Sequence, residues 1–200
     1  MHDPAAKAWE ELLNPEVLRP KLISASVYIT AFELLKITII ERLRSFYTHG
    51  LDEVGNEVVS AEYKNVVLAR ERSALYASLD WLRENDAINS EDLESFERVK
   101  SLRNRLAHGL PDVVGSTGLP PEFDACFSEL VGVLHKIEVW WIAEVDIPTN
   151  PDFDGQEIDR QGIVPGPVLQ VQLLLQVALG NEQESRMYLE EFRQRYSTDA

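Results

Sequence analysis

One cysteine, Cys126, stands in 200 residues, which excludes an internal disulfide framework and points to a reducing compartment. Set between Ala125 and Phe127 in a helical pattern, it reads as a small buried hydrophobe. Positive charge is scarce too: 19 lysines and arginines face 34 acids, a formal net charge of −15. That balance excludes a broad basic surface that coats nucleic acid, so nucleic-acid chemistry has to come from a local patch. No basic stretch followed by an apolar run opens the chain at Met1-His2-Asp3-Pro4, and no signal peptide is expected. The most apolar segment, Leu22 to Ile40, carries Glu33 and Lys36. Two charges at that depth are costly in a bilayer, so the segment reads as a buried helix. A soluble, cytoplasmic protein without membrane contact is the expectation. No His/Cys/Asp cluster has metal spacing, no glycine-rich phosphate loop precedes a helix, and no nucleophile elbow occurs. Neither a metal nor a cofactor is therefore expected.

What the chain does have is helical periodicity and enough apolar residues, 44%, to build one core. Pro4 to Leu13 reads as a short helix, broken at Asn14-Pro15, and a second helical segment is expected to begin near Pro15 or Pro20, where proline suits a first turn. From Lys21 to about Thr48, Ile29, Ile37 and Ile40 share one face and Phe32, Leu35, Ile39 and Leu43 another, the pattern of a central helix covered on several sides. His49-Gly50 is the expected stop, and Leu51 to Val59 a polar connection around Gly55-Asn56. Ser60 to Asn85-Asp86 reads as one long helix, and Ser90 to Gly109 as another, with Leu93, Phe96, Val99, Leu102 and Leu106 at helical spacing. Asp112 to Pro121 is a glycine- and proline-bearing loop, followed by a helix from Glu122 to about Asp146. No alternating run is long enough to argue for a sheet.

Composition shifts after Asp146. Residues Ile147 to Gly166 hold three prolines and two glycines before Gly166 among acids, a linker. Pro167 to Leu179 and Glu182 to Tyr196 then read as a terminal helical hairpin, a surface that an adaptor would use to dock a partner. The expected architecture is all-α: an antiparallel helical bundle over 1–146, then a linker and C-terminal helical extension over 147–200.

The chemically suggestive segment runs from Arg98 to His108. It holds Arg98, Lys100, Arg103 and Arg105 and no acid. Lys100 and Arg103 are three apart and share a helix face; Asn104 and His108 are four apart and share another. His108 falls in the last turn before Gly109, where its ring can swing free of the apolar face. Arginine offers a planar fork for phosphate oxygens, and histidine exchanges a proton near neutral pH. The plainer structural reading is an Arg103 paired with an acid such as Glu97 or Glu129, and a His108 facing the negative helix end. A second Arg-x4-His, Arg44 to His49, lacks the accompanying asparagine and alanine. Glu33 falls on the stripe of Ile29, Ile37 and Ile40 and reads as a partly buried carboxylate in need of a partner. His135, beside Leu134 and Ile137, reads as packing, and His2 is terminal.

At Arg103-Asn104-Arg105-Leu106-Ala107-His108 the chain resembles the HEPN family, helical proteins that carry an Arg-x4–6-His motif near a helix end, often in the form RNxxAH. The resemblance covers the motif and the order of helices over about residues 20 to 146. It implies a metal-independent endoribonuclease of toxin or phage-defence type. His108 then moves a proton as the RNA 2′-hydroxyl attacks the adjacent phosphate, Arg103 stabilises the phosphoryl oxygens, and Asn104 orients the imidazole or a phosphate oxygen. Glu33 of an early helix, with Lys100 and Arg105 as local positive charge, supports the site. Homodimerisation that brings two sites to one cleft is implied as well, with RNA (a tRNA or an mRNA) as substrate and an antitoxin or other regulatory partner. The alternative is a non-catalytic HEPN-like dimeric module that binds a nucleotide or another protein. Toxins of this family paired with a nucleotidyltransferase often carry a tyrosine two residues after the histidine. Leu110 occupies that place, so modification of such a tyrosine is not the control.

Overall fold

The computed structural model describes residues 4–113, 115 and 118–196; His2 and part of the loop expected over 112–121 lie outside them. Helix α1, Pro4–Leu13, stops at Asn14, whose side chain accepts the Glu16 N–H (3.0 Å) and so caps α2, Pro15–Phe46. A proline at the first helical position costs nothing there, because the N–H it lacks would have no intrahelical acceptor in any case. The helix thus begins at Pro15, one of the two starts the prolines mark, and carries Pro20 inside it. Of the two apolar faces read from the sequence, one is core: Phe32, Leu35, Ile39 and Leu43 are buried, whereas Ile37 is 52% exposed.

The chain leaves α2 at Tyr47, before His49-Gly50, and forms a two-stranded antiparallel hairpin from β1, Thr48–Leu51, and β2, Glu57–Val59. This corrects the expectation of a polar connection without strands. The hairpin is made by its turn: Asp52 Oδ1 accepts the N–H groups of Val54 (2.9 Å) and Asn56 (2.8 Å), and Gly55 takes φ +91°, a conformation glycine adopts without steric cost. The single long helix expected over 60–85 is likewise two pieces. A π-helical turn, Tyr63–Leu68, gives way to α3, Ala74–Glu84. Arg70 joins them: its Nε donates to the Val66 carbonyl (2.7 Å) and its Nη1 to Asp80 (3.1 Å).

Helix α4, Ser90–His108, starts with a reciprocal cap. The Asp92 N–H donates to Asn89 Oδ1 (3.0 Å), and the Asn89 N–H donates to Asp92 Oδ2 (2.7 Å). A short turn, α5 (Leu110–Asp112), precedes α6, Phe123–Trp141, which ends in a π-helical turn, Ile142–Asp146, where an unbroken helix was expected. Helices α7, Gly166–Leu179, and α8, Glu182–Tyr196, form the terminal hairpin.

The architecture is essentially all-α. Helices α2 and α6 pack on each other, and both are touched by α4 and by α7. Val168 and Val171 of α7 join the same core as Leu35, Leu106 and Ile137. At one end of the bundle Trp81 stacks on Trp141 (6.0 Å, 7° between planes), with Trp140 edge-on to Trp141 at 5.0 Å; Trp9 is 61% exposed.

Candidate functional site

The side chains singled out from the sequence sit on the second half of α4. Its buried stripe of Phe96, Val99, Leu102 and Leu106 fixes the rotation of the helix against α2 and α6. Arg103, one position past Leu102, is thereby turned toward α2. Its guanidinium lies over the Phe32 ring (5.7 Å to the centroid), and Nη2 donates to Glu33 Oε1 at 2.5 Å. The acid that meets Arg103 is thus Glu33, and neither Glu97 nor Glu129. Glu33 bridges two cations, since its other oxygen accepts from Lys36. Hydrogen bonding by Lys36, opposed by burial and reinforced by Arg103, holds the Glu33 carboxyl below the usual carboxylate range.

Nη1 of Arg103 donates to Asn104 Oδ1 at 3.2 Å. Nε of Arg103 is buried and has no partner among the described residues. A guanidinium N–H in that condition costs about 1–3 kcal/mol, and such groups in native structures call for an explanation. Asn104 is exposed, and His108 stands one turn further along the same face, also exposed, with no partner among the described residues. Arg103 and His108 themselves point well apart, because five residues on an α-helix turn the direction by about 140°. One copy of the chain therefore joins Arg103, Asn104 and Glu33 directly, and His108 only through the face it shares with Asn104.

The remaining cations of the segment are held elsewhere. Arg98 grips Glu129 in a bidentate pair (2.9–3.1 Å), and Arg105 pairs with Glu122. Lys100 lies 4.6 Å from the Tyr76 ring centroid and donates to its hydroxyl, which in turn donates to Glu97 at 2.6 Å. Hydrogen bonding to Tyr76 raises the Lys100 ammonium above its ordinary value. Every positive side chain of the segment thus has an acid beside it, and the local basic patch read from the sequence is neutralised within the chain. The helix end is set by Gly109. Its N–H donates to the Arg105 carbonyl at 2.8 Å, and a Cβ at this position would lie 2.8 Å from that oxygen.

The twin motif separates cleanly. Arg44 is on α2 and pairs with Glu41 (3.4 Å) and Glu57 (3.2 Å), whereas His49 is on strand β1. His135 is exposed on α6 and does not pack in the core. Sequence reasoning missed a second polar cluster, in which Arg42 donates to Glu138 (3.1 Å) and Asp146 (2.9 Å). Glu138 is 2% exposed; the available signal was a glutamate inside the apolar run Ile137 to Trp141. Compared with family models, with curated proteins and with solved structures, the chain matches none.

Proposed function

We propose that the chain is an HEPN-type endoribonuclease that needs no metal, acting in the cytoplasm as a toxin or phage-defence effector on a structured RNA such as a tRNA or an mRNA. The observation that carries this reading is the end of α4. There Arg103 is anchored by Glu33 and Phe32 and linked to Asn104, and His108 is left exposed on Asn104's face. His108 takes the proton of the 2′-hydroxyl, and the 2′-oxygen forms a bond to phosphorus. The 5′-oxygen leaves with a proton returned from an imidazolium, and a 2′,3′-cyclic phosphate remains. Arg103 and Asn104 face the phosphoryl oxygens as charge builds on them. Because Arg103 and His108 diverge on one helix, two copies of an HEPN-like bundle meeting at their α4 ends would supply a fuller set of groups than one copy. A net charge of −15 repels arbitrary RNA and favours a substrate recognised by shape.

A second reading has its own observation. The pairing of Arg98, Arg103 and Arg105 with acids is what a non-catalytic interaction module needs to brace its helices. The two are separated by expressing wild type and Arg103→Ala/His108→Ala, then following growth and the cleavage of total tRNA in EDTA. Growth arrest and cleavage in chelator, both lost in the variant, are the expected result. Intact RNA with wild type, beside an equally folded variant, gives the lead to the interaction module.

A further inference from the structure

One stripe of α2, from Leu34 through Thr38 and Arg42 to Ser45, opens onto a shallow cleft of about 510 Å³. The cleft is closed on its other sides by the end of α6, the π-helical turn that follows it, and the start of α7. Two polar side chains in its wall are almost completely buried, Thr38 at 5% exposure and Glu138 at 2%. Glu138 Oε2 accepts from Arg42 (3.1 Å). Its Oε1 has no hydrogen-bond partner among the described residues, and neither has the Thr38 hydroxyl. These two atoms are not sealed inside the protein, as Ser78 Oγ and Trp141 Nε1 are. In side chains so buried, the open side is the cleft they line. A carboxylate oxygen of α6 and a hydroxyl of α2 thus face one cleft unpaired, a condition that calls for an explanation.

We infer that this cleft is a binding site for a small aliphatic diamine. Glu138 Oε1 can only accept, so its missing partner is a donor. Charge makes that donor a cation. Glu41, Glu138 and Asp146 line the cleft against Arg42 alone, and the positive end of α7 adds about half a charge. Arg44, beside Glu41, is divided between that acid and Glu57. An excess of about one and a half negative charges remains, which two ammonium groups balance and one does not. The walls select the rest of the ligand. Leu34, Ile37, Ile142 and Pro167 suit methylenes, whereas a metal ion needs six or more oxygens or its own waters there. Among the described residues, no three His, Cys, Asp or Glu side chains are placed to hold a metal. One ammonium donates to Glu138 Oε1 and to the Thr38 oxygen. The other is drawn to Glu41, three residues or about 4.5 Å further along α2, a step that a four-carbon chain covers.

The site is separate from the reading of α4, because the cleft contains none of Arg103, Asn104 or His108.

The test is isothermal titration calorimetry of the full chain with 1,4-diaminobutane in about 0.15 M sodium chloride, where attraction between distant exposed charges is screened. Thr38→Val removes the hydroxyl and keeps the side chain's shape. Ile37→Lys, at an exposed position of the cleft wall, supplies a competing ammonium. Both variants are checked for unchanged helix content. Wild type is expected to bind one diamine per chain, Thr38→Val about tenfold more weakly, and Ile37→Lys not at all. 1-Aminobutane is expected to bind wild type at least tenfold more weakly than the diamine does. No saturable binding to wild type up to about 10 mM, or folded variants that bind as wild type does, overturns the proposal. So does equal binding of 1-aminobutane. Displacement of the diamine by magnesium chloride, beyond that by sodium chloride of equal ionic strength, also overturns it and makes the cleft an unselective cation surface. Arg103 and His108 are intact in all these proteins, so RNA cleavage and diamine binding are read separately.

Discussion

Two side chains reach from α2 to α4 and are governed by different physics. Glu33 is about one-third exposed, so its ion pairs with Arg103 and Lys36 are partly screened and contribute less than about 1 kcal/mol. Its folded pKa is depressed, so that contribution is present above the ordinary value of 4.5 and is lost as pH falls through the folded value. Glu33→Gln is therefore expected to be slightly less stable than wild type at pH 7, with the gap narrowing as pH falls below 4.5 in urea titrations. A gap that stays constant as the pH falls rejects the ionic account. Tyr28 is fully buried between the helices, and its hydroxyl donates to the Val99 carbonyl at 3.1 Å. Burial pushes its pKa well above the ordinary value of 10.0. The folded state thus keeps the proton that the unfolded chain gives up above pH 10, and stability declines in alkali. Tyr28→Phe should cost about 1 kcal/mol at pH 7, from the hydrogen bond lost between the hydroxyl and the Val99 carbonyl, and flatten the alkaline decline. A variant as alkali-sensitive as wild type assigns that decline to other groups.

Among the helices, α4 shows how a local signal sets a site. The Asn89–Asp92 cap sets where it starts, and Asp92 also holds Lys136 of α6. Asn89→Ala is expected to lower stability by about 1 kcal/mol in thermal or urea unfolding; a change below a few tenths would mean the Asp92 half of the cap is enough. Helices α4 and α6 were legible in the sequence, because their buried residues recur at i, i+3 and i+4 and their ends carry glycine, proline or a capping side chain. The β hairpin was not, because its strands are four and three residues long and their order comes from the Asp52 turn. The break between Leu68 and Ala74 was hidden for a related reason, since the Arg70 contacts that stabilise it reach residues 10 and 14 positions away. Within the site, positions 103, 104 and 108 stood out by spacing, and Glu33 as a carboxylate in need of a partner, but that Arg103 is this partner did not, because the pair joins residues 70 positions apart on two helices. The neutralising pairs with Glu129 and Glu122 arise from tertiary packing 31 and 17 residues distant, which no local pattern encodes.

For the molecule as a whole, a long-range tie is Arg42, which joins the C-terminal end of α2 to Glu138 and Asp146 some hundred residues later. Burial opposes the charge on Arg42, but the two acids more than offset it, so its pKa is raised. Glu138→Ala removes the buried carboxylate and leaves the guanidinium with only Asp146. The expected loss is about 3 kcal/mol in urea unfolding, the low end for breaking a buried pair because Arg42 keeps partial access to water. A loss under 1 kcal/mol would mean that water replaces Glu138 without penalty. The same chain has an optical property built into its packing. Two near-parallel indoles, Trp81 of α3 and Trp141 of α6, with Trp140 edge-on beside them, form an excitonically coupled group, whereas Trp9 faces solvent. Near-ultraviolet ellipticity then reports the seam between α3 and α6, red-shifted emission reports the first helix, and separation of either can be followed without attaching a dye.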